Sequence, residues 1–189
     1  MNYCGITDRM LRFCKVLTGH MYGGLGQVNI ALSTLMGGMS GSSLADAAME
    51  AKLLVPDMRK SGYPNGFASA ITAASSMITP LIPPGIAAII YGSVTGASIG
   101  RLFVAGIVPA IILCASMMVV VSLYSRRHGI PRLREKRASG KELWDAFKPA
   151  VLPLCLPIII IGGIRFGIFT PTEAGAIAIF YALLLGIIY

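Results

Sequence analysis

The chain has 189 residues, of which 55% are hydrophobic and only 13% are charged, and its mean hydropathy of +0.74 excludes an ordinary soluble globular domain. Its formal net charge of +8 raises the question of a nucleic-acid partner, but half of the 16 Lys and Arg residues lie in the segment 126–148, directly after an apolar run. That position is typical of a cytoplasmic loop, so we predict a chain embedded in the lipid bilayer with no nucleic-acid partner; a patch for anionic lipid or nucleic acid is the weaker interpretation.

The first part of the chain divides into a basic segment and a lightly charged one. Residues 1–23 carry three basic side chains and are predicted to be a cytoplasmic lead-in, and residues 24–56 follow with a largely apolar character. A single membrane crossing by residues 24–56 would place the next basic group, around Arg59 and Lys60, outside the cell, against the tendency of basic residues to stay in the cytoplasm. A re-entrant hairpin, which enters and leaves on one side, keeps both basic groups in the cytoplasm.

The predicted hairpin consists of two short helices with a break between them. Helices over residues 25–39 and 44–55 would be about 22 and about 18 Å long, each shorter than a hydrocarbon core of about 30 Å. The break therefore falls near the middle of the membrane, where irregular backbone is tolerated only if protein buries it or it lines a wet cavity. We predict that the tip binds an ion or a substrate through Ser40, Gly41, Ser42 and Ser43.

The next segment, residues 57–100, is long enough to cross the membrane, but prolines interrupt its centre. In the string TPLIPP each proline removes a backbone donor and disfavours helix in the residue before it. We predict two half-helices over residues 66–78 and 85–91, joined by an unwound turn whose freed carbonyl groups coordinate a cation. The candidate ion- or substrate-binding residues of this turn are Thr79, Pro80, Pro83, Pro84 and Gly85.

The rest of the chain alternates between apolar spans and one basic loop. Residues 101–125 are predicted to form a transmembrane helix, and residues 126–148 a cytoplasmic loop that contains an amphipathic helix at the membrane surface. This helix would begin at a capping box formed by Ser139 and Glu142; a solvated linker helix is the weaker alternative. Residues 149–189 are predicted to form two further transmembrane helices.

Polar side chains inside the predicted hairpin are the main functional candidates. An acid deep in the membrane is costly, so Asp46 is predicted to support cation binding or gating, although a capping box with Ser43 would explain it without any such role. Glu50, one helical turn nearer the cytoplasm, is a weaker candidate. Asn29, midway along the first helix, would either bind an ion or substrate or form a hydrogen bond between helices.

Three further groups of residues have structural explanations that we favour over functional ones. Thr72, Ser75 and Ser76 lie on a face of small side chains that close helix packing explains. Thr170 and Glu173 fit a capping box at the start of the last helix. The cysteines lack the spacing of metal ligands and are predicted to pack as apolar side chains: Cys4, Cys14, Cys114 and Cys155.

The sequence contains no complete catalytic or nucleotide-binding motif. The string GMSGS resembles the nucleophile region of a membrane serine protease, but a serine nucleophile needs a base within reach, and His20 and His128 lie in predicted cytoplasmic segments. The string GGLG lacks the third glycine of a dinucleotide-binding motif, and no phosphate-binding loop with its lysine is present. We therefore predict that the chain is not an enzyme and uses no cofactor.

Two strings carry a family resemblance. The region GGMSGSSLADAAMEAKLLVPDMRKSGYPNGFASAITAASSMITPLIPPG and the later GGIRFGIFTPTEAGAIAIFYALLLG resemble the large membrane (permease) subunit of TRAP transporters, the tripartite ATP-independent periplasmic family. The resemblance implies an all-α polytopic membrane protein with an elevator fold like that of the ion-transporter superfamily. In that fold the re-entrant hairpin and the proline-broken transmembrane helix belong to the moving domain and help to hold sodium and substrate. The sodium candidates are then Ser40, Ser42, Ser43, Asp46 and Thr79.

The same resemblance implies a function and a location. Such a subunit takes up an organic anion, commonly a dicarboxylate, another carboxylate or sialic acid, across the cytoplasmic (inner) membrane of a bacterium or archaeon. It works with a small TRAP membrane subunit and a periplasmic solute-binding protein, and sodium is the coupling ion. Family members are much longer, so this chain is interpreted as about half of the full fold, with residues 149–189 opening the second half. The alternatives are another ion-coupled secondary transporter or exchanger that needs no binding protein, and an assembly protein that does not transport.

Overall fold

The structure, a computed structural model, describes residues 6–188, and all regular secondary structure in this range is helical, which confirms the predicted all-α class. One 3-10 turn, Thr79–Leu81, lies among the α-helices. In chain order these are α1 (Ile6–Thr18), α2 (Gly24–Ser40), α3 (Ser43–Leu53), α4 (Val55–Lys60), α5 (Asn65–Ser75), α6 (Ile86–Thr95), α7 (Ile99–Arg127), α8 (Gly140–Arg165) and α9 (Pro171–Ile188).

Two helices of the described range are long and apolar enough to cross a membrane, namely α7 and the segment Gly140–Ile164 of α8. The pair Asn65–Leu81 and Ile86–Thr95 passes the same test as a unit with a bend of 44°, and it makes a third span if it is one broken helix. α7 exposes large apolar side chains such as Ile111 and Leu123, as expected for a surface that meets lipid or further protein. These findings confirm the predicted class of polytopic membrane protein and the break inside its second segment.

The predicted hairpin is present as α2 and α3, with a break at two residues. α2 ends at Ser40, and Gly41 follows in the left-handed backbone region with φ +58°. Ser42 has extended backbone, and its Oγ accepts a hydrogen bond of 3.5 Å from the N–H of Ala45. The cap of α3 is therefore Ser42 and not the predicted Ser43, because Ser43 already has helical backbone.

α2 lies at the centre of the packing, in contact with α1, α3, α5, α7 and α8. Its apolar side chains Val28 and Leu32 and its polar side chains Gln27, Asn29 and Ser33 are all 0% exposed. A helix buried on every face has no solvent to satisfy polar groups, so these three polar side chains need partners inside the protein. Nε2 of Gln27 donates to the carbonyl of Met118 at 2.8 Å, and the partners of Asn29 and Ser33 form a cluster described below.

The start of α2 and the residues that follow α4, at the end of the hairpin opposite its tip, lie beside the C-terminal end of α7. The hydroxyl of Tyr63, just after α4, accepts a hydrogen bond of 3.1 Å from the N–H of Gly26 in the first turn of α2. The rings of Tyr63, Phe67, Tyr124 and His128 form a continuous stack that reaches the start of the basic loop. The connections that precede the hairpin, follow it and follow α7 thus meet at one end of the molecule, as a re-entrant topology requires.

The amphipathic segment and the next predicted span form one continuous helix, α8, across the predicted boundary at residue 149. α1 covers the first turns of α8: the rings of Phe13 and Phe147 are 5.6 Å apart, and Ala146 and Ala150 are buried. This packing holds the helix together at the turn where the proline at position 149 removes a backbone hydrogen bond, so the helix continues instead of ending there.

The two predicted capping boxes have different outcomes. Ser139 precedes α8 but its side chain makes no capping hydrogen bond, and Glu142 instead forms an ion pair of 3.1 Å with Arg134. At the start of α9 the prediction is confirmed, because the N–H and the hydroxyl of Thr170 donate to Oε2 of Glu173 at 2.7 and 2.8 Å. Glu173 therefore has a structural role at a helix end.

The cysteines of the described range are free thiols. Cys14 is buried, and burial raises the pKa of its thiol to about 12, which is the behaviour of a packing side chain and not of a reactive one. Cys114 and Cys155 are half-buried. Cys4 and Tyr189, the last residue of the final predicted span, lie outside the described residues.

Candidate functional site

The hairpin tip packs directly on the broken helix, and glycine makes the approach possible. A Cβ placed on Gly41 would lie 2.4 Å from the carbonyl oxygen of Pro84 and 3.4 Å from the backbone nitrogen of Ile86. The positive φ of Gly41 would strain any other residue as well. One turn earlier, a Cβ on Gly37 would lie 3.1 Å from the backbone of Thr79. The two predicted breaks, which are distant in sequence, therefore meet in space.

Asp46 points from the first turn of α3 into this contact. Its side chain is 2% exposed, and its Oδ2 accepts a hydrogen bond of 2.7 Å from Oγ1 of Thr79, which is 0% exposed. Its Oδ1 has no hydrogen-bond partner within the described part of the chain, where no Lys, Arg or His forms an ion pair with it. Because Ser42 already caps α3, the buried carboxylate does not serve as the cap of that helix.

The remaining predicted residues lie on the same two segments as Asp46 and Thr79. Oγ of Ser40, at the end of α2, is buried and has no hydrogen-bond partner among the described residues. The proline turn is tight, since a Cβ on Gly85 would lie 2.1 Å from the carbonyl oxygen of Pro80. The structure thus brings together the segments that carry Ser40, Gly41, Ser42, Ser43, Asp46, Thr79, Pro80, Pro83, Pro84 and Gly85.

A second buried polar cluster lies two to three helical turns from the tip. Nδ2 of Asn29 donates to Oγ1 of Thr72 at 3.1 Å, and Oγ of Ser75 donates to Oδ1 of Asn29 at 2.7 Å. Oε2 of Glu50 accepts from Oγ of Ser33 at 2.8 Å and from Oγ of Ser75 at 3.4 Å. Each of these side chains is at most 3% exposed. The cluster ties α2, α3 and α5 together, and it shows Asn29 in the helix-bridging arrangement that was one of its two predicted roles.

Glu50, which the sequence made a weaker candidate than Asp46, has a similar environment. It is 0% exposed and, like Asp46, keeps one carboxylate oxygen, Oε1, without a partner in the described structure. The spacing of four residues between Asp46 and Glu50 already indicated one shared helix face. What the sequence did not reveal is that Ser33 and Ser75, from two other helices, converge on the same carboxylate.

The arrangement has two chemical capacities. Its potential ligand atoms are carboxylate, hydroxyl and backbone carbonyl oxygens, which a hard cation prefers over nitrogen or sulfur. α3 and α6 also begin at the two breaks. The unpaired backbone amides and the positive dipole end at a helix N-terminus attract an anion. Cation and anion sites can therefore be adjacent at this contact.

Comparison with known proteins places this geometry in context. A sequence model of the family described as Tripartite ATP-independent periplasmic transporter, DctM component, matches residues 1–189. The chain is similar to the sialic acid TRAP transporter large permease protein SiaM of Vibrio cholerae, with 47% identity over 186 residues that cover 98% of this chain and 43% of the relative.

The names of two more relatives specify other substrates. The chain is 44% identical to the 2,3-diketo-L-gulonate TRAP transporter large permease protein YiaN of Escherichia coli K12, over 97% of this chain and 43% of the relative. It is 42% identical to the ectoine TRAP transporter large permease protein TeaC of Halomonas elongata, over 94% of this chain and 41% of the relative. The chain thus spans less than half the length of these curated relatives.

Proposed function

The chain belongs to the DctM component family of tripartite ATP-independent periplasmic transporters, and from this membership we propose that it is part of the large permease subunit of a sodium-driven secondary transporter. The transporter takes up an organic anion across the cytoplasmic (inner) membrane, together with a small TRAP membrane subunit and a periplasmic solute-binding protein. The anion class, a dicarboxylate, another carboxylate or sialic acid, is supported by relatives whose names specify sialic acid, 2,3-diketo-L-gulonate and C4-dicarboxylate.

The contact between Asp46 and Thr79 is the observation that carries the proposed sodium site. It joins the hairpin tip to the broken helix, and it leaves one buried carboxylate oxygen of Asp46 free for a cation. Sodium bound there would be held by Asp46, the hydroxyl groups of the tip and the carbonyl groups of the proline turn. Its charge would offset the cost of burying the carboxylate, so sodium binding would also stabilise the contact of the tip with the turn.

The substrate anion is proposed to bind beside the contact of the two breaks. The backbone nitrogen of Ile86, at the start of α6, lies 3.4 Å from where a Cβ of Gly41 would be, so the beginnings of α3 and α6 are close together. Helix N-termini with serine hydroxyl groups beside them suit the carboxylate of such a substrate. Adjacent sodium and carboxylate would attract each other, which provides a physical basis for coupled binding.

The hairpin and α5 are proposed to move as one unit during transport. Asn29 donates a buried hydrogen bond to Thr72, and Glu50 accepts buried hydrogen bonds from Ser33 and Ser75, so α2, α3 and α5 are fixed to one another. Breaking such bonds in a membrane interior leaves unsatisfied polar groups, so the unit is expected to stay intact while it moves past the long apolar helices.

The proposal is tested with the full-length permease and its small subunit in proteoliposomes, with the cognate solute-binding protein outside. The labelled probe is the anion that mass spectrometry identifies in the binding protein as purified from its host. We expect accumulation that requires both the binding protein and an inward sodium gradient, with no uptake in an equal potassium gradient. Uptake without the binding protein would instead indicate a secondary transporter of another class, and uptake without sodium would refute the coupling.

A further inference from the structure

We propose that a surface cavity at the opposite end of the hairpin from its tip binds a phosphate-bearing anion, supplied either by a lipid headgroup or by free phosphate. The cavity has a volume of about 470 Å³ and lies between the turn that follows α1, the last turns of α7 and the basic loop. Its lining includes Tyr22, Arg126, Arg132, Glu135 and Arg137. We call it the Tyr22 cavity.

The ring of Tyr22 organises two of the arginines. The guanidinium carbon of Arg126 lies 4.4 Å from the centre of the ring, and that of Arg132 lies 3.9 Å from it. Both distances are well within the range of a cation–π contact, so the ring holds two positive charges against one cavity wall. Guanidinium groups held in this way present several N–H donors in a planar fork that matches phosphate oxygens.

The lining of the cavity carries a net positive charge. Three arginines line it together with one acid, Glu135, and none of these four side chains forms an ion pair in the described part of the chain. Arg126 gains some stabilisation from the negative C-terminal end of α7, but Arg132 and Arg137 belong to the loop and lack it. An anion with two or more oxygens would relieve the repulsion among the three positive charges.

A further observation supports a preformed anion site. The backbone fixes the loop in place, because the N–H of Arg134 donates to the carbonyl of Gly19 at 2.9 Å and that of Ile130 donates to Ser125 at 3.0 Å. The cavity walls therefore do not depend on flexible side chains alone.

The position of the cavity relates it to the membrane surface. It lies at the end of α7 that carries the basic loop, which the positive-inside tendency places in the cytoplasm beside the anionic leaflet. A tyrosine with arginines at the end of a membrane-crossing helix is at headgroup depth, where a lipid phosphate is within reach.

The experiment measures anion binding to the purified full-length permease with its small subunit. Native mass spectrometry compares retention of phosphatidylglycerol and phosphatidylcholine, and a second arm titrates inorganic phosphate. The test variants are Arg132→Gln and Arg137→Gln, and the matched control is Arg127→Gln, which removes the same charge next to the cavity but does not line it. Each test variant is expected to weaken binding about fivefold, and the control less than about twofold.

Variants of Tyr22 separate the positioning of the arginines by the ring from the charge of the arginines. Tyr22→Leu keeps every charge but removes the ring, and it is expected to weaken binding severalfold, whereas Tyr22→Phe keeps the ring and retains binding. Loss of phosphatidylglycerol in the test variants, without competition by phosphate, supports a lipid headgroup as the source. Binding of inorganic phosphate with the same dependence supports the soluble source. If Arg132→Gln and Arg137→Gln bind both probes as well as Arg127→Gln does, the proposal is overturned.

Discussion

Replacing Asp46 by Asn removes one negative charge from the hairpin tip while it preserves the size of the side chain. The hydroxyl of Thr79 can still donate to the remaining carbonyl oxygen, so the contact of 2.7 Å across the tip is kept. The oxygen without a partner becomes an amide nitrogen, which cannot coordinate a cation. Without sodium, the variant should be at least as stable as the native protein, because it no longer buries an uncompensated charge.

The expected loss in sodium affinity follows from the lost charge. At a separation of about 4 Å and an effective dielectric constant of about 20, the attraction between the carboxylate and a cation is about 4 kcal/mol before desolvation. A net loss of only about 1.4 kcal/mol weakens binding about tenfold. At a sodium concentration about 100 times the native dissociation constant, stabilisation by sodium would then fall from about 2.7 to about 1.4 kcal/mol.

The assay is thermal unfolding of the purified full-length permease complex in a sodium chloride series, with potassium chloride keeping the ionic strength constant. Uptake in proteoliposomes gives the sodium concentration for half-maximal transport as a second readout. Asp57→Asn is the matched control, since it makes the same chemical change at an exposed position on α4. Equal expression with an unaltered sodium response in both assays would refute a role for the Asp46 charge in sodium binding.

Three further predictions concern topology and the two breaks. In intact cells an impermeant thiol reagent should label Ser98→Cys and miss Ser61→Cys; strong labelling at position 61 would exclude the re-entrant hairpin. Replacing Pro83 and Pro84 together by alanine should favour a continuous helix and raise the sodium concentration needed for half-maximal uptake. An unchanged sodium concentration would argue against coordination by the turn. Gly41→Ala and Gly62→Ala should each cost about 1–2 kcal/mol of stability, because both residues have a positive φ. Only Gly41→Ala meets a carbonyl oxygen at 2.4 Å, so it should cost about 1–3 kcal/mol more and impair transport, whereas the surroundings of Gly62 are open; equal effects of the two variants on uptake would contradict the close contact at the tip.

Features that depend on neighbouring residues in the chain could be predicted from the sequence. A glycine and serines interrupt one apolar stretch, and prolines interrupt another. These residues remove or redirect backbone hydrogen bonds whatever the tertiary structure, so the local sequence alone located both breaks. The placement of basic residues likewise indicated which ends of the segments share a side. The capping box of Glu173 with Thr170 was predictable for the same reason, since its two members are three residues apart.

Tertiary structure decided which side chains meet. Thr79 bonds Asp46 across 33 residues and Ser75 bonds Asn29 across 46, and no local pattern pairs these positions, because the partner of a buried polar group depends on how separate helices pack. The continuity of α8 depends in the same way on its contact with α1, whose rings cover the turn at which the proline would otherwise end the helix. The sequence by itself determined where this backbone breaks and which residues are too polar for lipid, since both are properties of individual residues; only packing determined that the two breaks face each other and leave a carboxylate oxygen free between them.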